Sequence, residues 1–151
     1  MEWVYTDCKK CNLITHNHMK KGYKGNVEQL TLENEHFREV LYTAEHLQLV
    51  LMTLKPGEEI GLEVHEEGDQ FFRFEWGEGK VIVNETEYRV GDGDSVIVPA
   101  GAQHNVINTS ETDALRLYTI YAPAHHEDGV VRATKVEAMA DEPEFDGVTT
   151  E

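Results

Sequence analysis

The side chains best suited to chemistry begin in the stretch GEEIGLEVHEEGDQFFRFEWG, residues 57–77. Glu63 and His65 are two positions apart in an apparent strand, a spacing that places both side chains on one face. Gln70 follows a tight turn, so a hairpin would bring it back beside the first two. A carboxylate, an imidazole and an amide oxygen that converge in this way can bind a metal ion.

A further donor comes from the stretch GDSVIVPAGAQHNVIN, residues 93–108. It has the pattern of a strand, a rigid turn at residues 99–101 and a second strand that begins at His104. Two imidazoles with two oxygen donors suit Fe, Mn, Zn, Co or Ni. Four protein ligands on a metal that prefers about six would leave positions open for water or substrate. The sequence therefore predicts a divalent metal site formed by Glu63, His65, Gln70 and His104.

The two stretches resemble the two motifs of the cupin family. The first motif keeps the family spacing from Gly57 to Gly77, but Glu63 stands where the family usually has His and Gln70 where it usually has Glu. The second motif is matched throughout, by Gly93, Pro99, Gly101, His104 and Asn108. The resemblance covers about residues 46–122 and is to small single-domain, type-2 cupins, often labelled mannose-6-phosphate-isomerase-like. It implies an all-β fold, the double-stranded β-helix or jelly-roll barrel, with the metal inside.

The pattern of apolar runs and turn signals supports an all-β sandwich or barrel without the resemblance. Helix is expected only in two short pieces, Leu32–His36 and Thr134–Ala140. We divide the chain into an N-terminal extension (1–25), the barrel (26–123) and a C-terminal segment with a short helix and an acidic tail (124–151). The predicted strands are Phe37–Tyr42, His46–Lys55, Gly61–His65, Gln70–Trp76, Lys80–Val83, Glu87–Val90, Ser95–Val98, Gln103–Asn108 and Ala114–Tyr121.

Residues near the predicted site suggest what would surround the metal. If Gln70 faces the interior, period-two alternation predicts that Phe72, Phe74 and Trp76 face it as well. Tyr118 and Tyr121 have opposite parity, so one of them would reach the pocket as a hydrogen-bond donor or general acid. We also expect few cations near the motifs, which disfavours a phosphosugar substrate.

The N-terminal extension carries a separate pattern, Cys8-x-x-Cys11 followed by His16-x-His18. Thiolates and imidazoles in this order are zinc-like, but the gap between Cys11 and His16 is shorter than in zinc fingers. We therefore interpret these residues as incidental ligands in a tail.

Composition excludes several classes of function. The chain has 151 residues, with 13 Lys and Arg against 29 Asp and Glu, a formal net charge of −16. So acidic a surface repels phosphate backbones and anionic lipids, which argues against nucleic-acid and membrane partners. The absence of a signal-peptide pattern and of a disulfide framework favours a cytoplasmic protein. We expect a homodimer, with the apolar run Leu47–Leu54 as a paired edge strand.

The function expected from these residues is metal-dependent chemistry on a small organic molecule. Isomerase or lyase chemistry on a sugar-like or keto-acid substrate comes first, with Glu63 or a metal-bound hydroxide moving the proton. One alternative is an Fe(II)-dependent dioxygenase, because two His and one carboxylate are its usual ligands. The other is a non-enzymatic module that binds a small ligand.

Overall fold

The computed structural model describes residues 19–151, which form two antiparallel β-sheets and two short helices. The cysteines and histidines at positions 8, 11, 16 and 18 lie outside these residues. The elements, in chain order, are α1 (Val27–Glu33), β1 (Arg38–Thr43), β2 (Gln48–Leu54), β3 (Asp69–Trp76), β4 (Glu78–Val83), β5 (Thr86–Gly91), β6 (Ser95–Val98), β7 (His104–Asn108), β8 (Leu115–Ala122), β9 (Val131–Arg132) and α2 (Lys135–Ala140).

The two sheets enclose one apolar core. The large sheet has the strand order β6-β3-β8-β2-β1-β9, and the small sheet has the order β5-β4-β7. Isolated bridges from Glu59 and Glu63 to β7 extend the small sheet by an irregular fourth segment. This segment replaces the predicted strand Gly61–His65, which is wrong as a regular strand. The all-β prediction of a double-stranded β-helix is confirmed.

Strand β2 lies inside the large sheet and not at its edge. It pairs with β1 on one side and with β8 on the other, and all seven of its residues are buried. Both rows of backbone hydrogen-bonding groups are therefore already used within the chain. The predicted pairing of two copies through the apolar run 47–54 is wrong for this reason.

Side chains on β3 alternate as predicted until a bulge breaks the pattern. Gln70, Phe72 and Phe74 are fully or almost fully buried inside the barrel. The register against β8 shifts between Phe74 and Trp76, so Glu75 becomes buried while Trp76 is 54% exposed. The prediction that Trp76 lines the interior is wrong, because one extra residue in a bulge reverses the parity of those that follow.

The first helix begins earlier than predicted and ends before His36. Asn26 caps it, with its side chain accepting a hydrogen bond from the backbone N–H of Gln29. At its other end Asn34 bonds to the hydroxyl of Thr53, which fixes the helix to the large sheet. The second helix matches its predicted position, with Thr134 as its N-cap.

Residues after the barrel pack back onto it. Gln48, buried on β2, accepts hydrogen bonds from the backbone N–H groups of His125 and His126. Ala138 of α2 is part of the core, and the backbone N–H of Thr150 donates to Thr43. The C-terminal segment thus covers one side of the barrel next to the site described below. No helix within residues 19–151 is long and apolar enough to cross a membrane.

Candidate metal centre

The small sheet positions three of the four predicted ligands. Glu63 and His104 form a hydrogen-bonded antiparallel pair, each backbone N–H donating to the other's carbonyl at 2.9 Å. Such pairing places the two side chains on the same face. The backbone N–H of Gly101, in the turn before His104, donates to the carbonyl of His65 at 2.8 Å. The turn at residues 99–101, in the second motif, is therefore hydrogen-bonded to the irregular segment of the first motif that contains His65.

The fourth predicted ligand arrives from the opposite sheet. Gln70 lies on β3 between Val98 of β6 and Tyr121 of β8, with its side chain inside the barrel. Its Oε1 is 3.0 Å from Nε2 of His104. Oε2 of Glu63 is 3.5 Å from Nε2 of His65 and 3.9 Å from Nε2 of His104. The structure thus brings all four residues into one cluster.

Hydrogen bonds fix which atoms face the centre of this cluster. Nδ1 of His104 lies 3.1 Å from the carbonyl of Ala102, which can only accept, so Nδ1 carries the proton. The amide nitrogen of Gln70 donates to the hydroxyl of Thr119 at 3.0 Å, which turns Oε1 inwards. A neutral His104 then presents a lone pair towards the lone pairs of Gln70 Oε1. Two acceptors at this distance need a cation or a proton between them.

The cluster contains another nitrogen atom that lacks a hydrogen-bond partner among the described residues, besides Nε2 of His104. Nε2 of His65 is buried and has no hydrogen-bond partner in the part of the chain that the structure describes. Together with the neighbouring carboxylate it belongs to the cluster Glu63, His65 and His104, whose donor atoms all lie within 4.8 Å of one another. Ligands about 2.1 Å from a shared metal lie roughly 3.0–3.4 Å apart in octahedral or tetrahedral geometry. The donor set therefore fits a divalent metal, and the observed separations of 3.0, 3.5 and 3.9 Å begin within this range and extend about half an ångström above it.

The electrostatics of the cluster also suit a cation. Burial by itself would raise the pKa of Glu63, but His65, Arg38 and His104 together hold that pKa below its ordinary value. Burial lowers the pKa of His104, although its hydrogen bond to Ala102 and the charge of Glu63 act in the opposite direction. An ionised Glu63 beside a neutral His104 is a protonation state that metal binding requires of these two ligands.

The two candidate tyrosines are separated by the large sheet. Tyr121 is 3% exposed and faces the barrel, where its ring lies 5.6 Å from that of His65. Burial raises the pKa of its hydroxyl, so the group stays protonated. Tyr118 faces the other side of the sheet, next to Phe71. Of the two, Tyr121 is the one beside the cluster.

Two histidines from the C-terminal segment join the site. The ring of His125 packs edge-on against His65 at 4.3 Å and is stacked on Tyr121. His126 is 4% exposed, and its Nε2 lies 3.3 Å from the hydroxyl of Tyr121. Burial, reinforced by Arg38, lowers the pKa of His126 to about 2, so its ring is neutral. These residues close the barrel over the predicted ligands.

A cavity of about 280 Å³ opens beside the cluster. His65, Tyr121 and His125 line its inner wall, and residues 66–69 and 123–124 form its rim. Phe72, whose ring is 6.0 Å from that of His104, supplies an apolar surface behind the ligands. A larger groove of about 570 Å³ runs over β4 and β5, but it contains none of the predicted site residues. The smaller cavity is the one that can hold a ligand next to the metal-binding atoms.

The sequence analysis did not predict that three further residues lie buried beside the candidate site. Gln48 is a lone amide within an apolar strand, and its parity with Val50 and Met52 was a signal that it faces inwards. Arg38 is 2% exposed on the inner side of β1 and adds one buried cation that lies outside the two motifs in the sequence. His126 follows Pro123 in a stretch that is loop-like in sequence, where a histidine can be exposed or can cap the barrel, and only the fold of the C-terminal segment shows that it is buried.

The cupin domain model matches residues 50–121, which span β2 to β8 and hold all four predicted ligands. The chain is a cupin. It is 42% identical over 137 residues to the uncharacterized protein YrkC of Bacillus subtilis (strain 168), covering 87% of this chain and 73% of YrkC. It is 43% identical over 112 residues to the uncharacterized protein L612 of Acanthamoeba polyphaga mimivirus, covering 72% of this chain and 70% of L612. Neither name states an activity.

Solved structures agree with the fold of this cupin. BH2720 from Bacillus halodurans is 42% identical with a TM-score of 0.78, and the match covers 82% of this chain and 98% of BH2720. TT1209 from Thermus thermophilus is 28% identical with a TM-score of 0.59, and the match covers 66% of this chain and 96% of TT1209. These likenesses cover most of the barrel, and the reaction must be argued from the site itself.

Proposed function

We propose that this cupin holds a divalent metal through Glu63, His65, Gln70 and His104 and catalyses isomerase- or lyase-type chemistry on a small sugar-like or keto-acid molecule. The observation that supports this most is the group of inward-facing acceptor atoms on these four side chains, next to a cavity of about 280 Å³. The cavity is of a size suited to a metabolite with few atoms. The metal is one of Fe, Mn, Zn, Co and Ni.

The metal, Glu63 and Tyr121 have separate roles in this proposed reaction. A bound divalent metal would supply Lewis acidity to a carbonyl oxygen of the substrate. Glu63 is the carboxylate of the cluster, and its pKa is held below the ordinary value; its Oε2 faces the imidazoles, and we assign its other oxygen the acceptance of the substrate proton. Tyr121 stays protonated and donates a hydrogen bond to the oxygen that gains negative charge. Tyr118, on the far face of the sheet, is left out of this scheme.

Exchange of hydrogen for deuterium tests this proposal. The metal-loaded protein is mixed in D₂O with 2-oxo acids and 2-hydroxy carbonyl compounds, and the hydrogen next to the carbonyl is followed by proton NMR. We expect exchange in at least one compound, and we expect its loss in His104→Ala. His46→Ala is the matched control, because His46 is exposed in the turn between β1 and β2. No exchange by the loaded wild-type protein, or equal exchange in His104→Ala, would overturn the enolisation scheme.

A second candidate is an Fe(II)-dependent dioxygenase. It is favoured by Glu63, His65 and His104, which form the two-histidine, one-carboxylate set found in such enzymes. Gln70 would then be an additional ligand that leaves when substrate binds. Oxygen consumption by the Fe(II)-loaded protein with the same compounds distinguishes this function, since isomerase and lyase chemistry consume no O₂.

A third candidate is a module that binds a small ligand without changing it. A metabolite that co-purifies unchanged, detected by mass spectrometry of the denatured protein, would favour it. The cytoplasmic location, the homodimer, the three-part division of the chain and the mannose-6-phosphate-isomerase-like label all stay predictions.

A further inference from the structure

One positive charge is buried inside the barrel. Arg38 projects from the inner side of β1, next to Val40 of the apolar core, and is 2% exposed. Among the described residues it is the one Lys or Arg that is buried. A buried guanidinium is costly unless its N–H groups are paired, so its partners indicate what the position is for.

The pairing of Arg38 is incomplete. Its Nη1 donates to Oε1 of Glu142, whose side chain is 43% exposed. Its Nε is buried and has no hydrogen-bond partner in the described residues. A guanidinium binds a carboxylate best through two parallel N–H groups, and here the contact to Glu142 uses Nη1 alone.

The charge of Arg38 acts on groups in and around the candidate metal centre. Its charge helps to hold the pKa of Glu63 below its ordinary value and lowers the pKa of both His125 and His126. Glu142, its partner, belongs to a segment that pairs with the cavity wall. The backbone N–H of Phe145 donates to the carbonyl of His125 at 3.0 Å, and that of Glu127 donates to Pro143 at 3.1 Å. The segment that carries Glu142 is thus hydrogen-bonded to His125, a residue of the cavity wall.

We propose that Arg38 binds a carboxylate group of the substrate and that Glu142 occupies this place in the ligand-free protein. The carboxylate of Glu142 enters from the solvent side, and an acid could replace it without a change of charge at Arg38. This inference rests on the proposed function and narrows its substrate to an acid: a molecule with one group that chelates the metal and a separate carboxylate. Neutral sugars lack the second group.

Two pairs of 2-hydroxy acids test this inference by calorimetry on the Mn²⁺-loaded protein. Malate is compared with 2-hydroxybutyrate, and 2-hydroxyglutarate with 2-hydroxyvalerate. Within each pair the chelating end is the same, and a distal carboxylate in one molecule is a methyl group in the other. We expect at least one diacid to bind about 10-fold or more tightly than its partner, in spite of the protein's net charge of −16.

Two variants assign the preference to Arg38. In Arg38→Gln the ratio of affinities within the pair should fall to about 1. In Glu142→Gln the diacid should bind several-fold more tightly, because its competitor is gone, while the monoacid is unaffected. Glu142 is half exposed, so this variant carries the test if Arg38→Gln does not fold. Equal affinities in both pairs, a ratio retained in Arg38→Gln or an unchanged diacid affinity in Glu142→Gln would overturn the inference.

A metal-free measurement separates this inference from the proposed function. Glutarate is added to EDTA-treated protein, and the Nε resonance of Arg38 is followed by ¹⁵N NMR. A saturable shift of that resonance supports the carboxylate site even if the protein binds no metal and the proposed function fails. A protein that binds metal and catalyses exchange, but shows neither the shift nor the diacid preference, keeps the proposed function and loses this inference.

Discussion

Oε1 of Gln70 faces Nε2 of His104 at 3.0 Å across the interface between the two sheets. Nε2 of Gln70 is bonded to Thr119 and Nδ1 of His104 to Ala102, so the two atoms that face one another are both acceptors. The contact therefore leaves two lone pairs directed at one another, close to the carboxylate of Glu63. Under the proposed function, this arrangement lets the amide oxygen of Gln70 serve as the fourth ligand.

Replacing Gln70 by Glu should strengthen metal binding. The variant adds a negative charge at a ligand position, so we expect the dissociation constant for Mn²⁺ or Zn²⁺ to fall about 10-fold or more. The more strongly neutralised metal should be a weaker Lewis acid, so the exchange rate in D₂O should fall as well. Competition with a fluorescent chelator measures the affinity.

Gln29→Glu is the matched control for that variant, since it makes the same chemical change on the exposed helix α1. Its metal affinity should equal that of the wild type. An unchanged affinity in Gln70→Glu would mean that Gln70 does not contact the metal.

Stability should depend on pH through His126. Its pKa is lowered to about 2 in the fold, whereas an unfolded chain has the ordinary value of about 6.5. The unfolded state therefore binds an extra proton below about pH 6.5, and the stabilisation present above that pH is lost as the pH falls. For the metal-free protein, His126 contributes a decrease of about 1.4 kcal/mol in the free energy of unfolding per pH unit.

Urea unfolding of wild type and His126→Gln at pH 6 and pH 5 isolates this contribution. The free energy of unfolding should fall less between pH 6 and pH 5 in the variant than in the wild type, by about 1 kcal/mol. His46→Gln, at an exposed position, should behave as the wild type. Identical decreases in wild type and His126→Gln would show that His126 takes up its proton without cost to the fold.

Gly77 should tolerate no side chain. It closes the first motif with φ of +90°, and an added Cβ would lie 2.4 Å from the carbonyl oxygen of Ala114. Gly93 has nearly the same φ, +89°, but no atom within 4 Å of an added Cβ. Gly93→Ala should therefore cost only the dihedral strain, about 1–2 kcal/mol, and Gly77→Ala clearly more.

Thermal or urea unfolding of both glycine variants compares the two costs directly. Equal losses of stability would mean that backbone conformation alone explains the glycine at the end of the motif. A larger loss in Gly77→Ala would assign the difference to the contact between β3 and the chain before β8.

The clustering of the four residues predicted as ligands could be foreseen from the sequence because it depends on short-range features. Period-two alternation relates Glu63 to His65, and the turn at residues 99–101 places His104 at the start of a strand. These relations hold within a few residues and need no knowledge of the whole fold. The same local rules predicted the two strands of the β1–β2 pair and the position of α2.

Features that depend on distant contacts could not be predicted. Trp76 is exposed because β3 bulges against β8, and a bulge has no signature in the sequence of one strand. Strand β2 looked like an edge, but its neighbours are decided by the path of β8, more than 60 residues further along the chain. Arg38 and His126 become part of the site only when residues 124–151 fold back over the barrel.

Elemental analysis tests the central claim most directly. The protein is purified without an affinity-tag metal column, and metals are quantified by plasma mass spectrometry in wild type, Glu63→Ala, His104→Ala and the control His46→Ala. We predict about one Fe, Mn, Co, Ni or Zn per chain in the wild type and the control, lost in the two site variants while their β-sheet circular dichroism is unchanged. A wild-type protein that holds no metal and takes none up on titration, or site variants that keep it, would contradict the account.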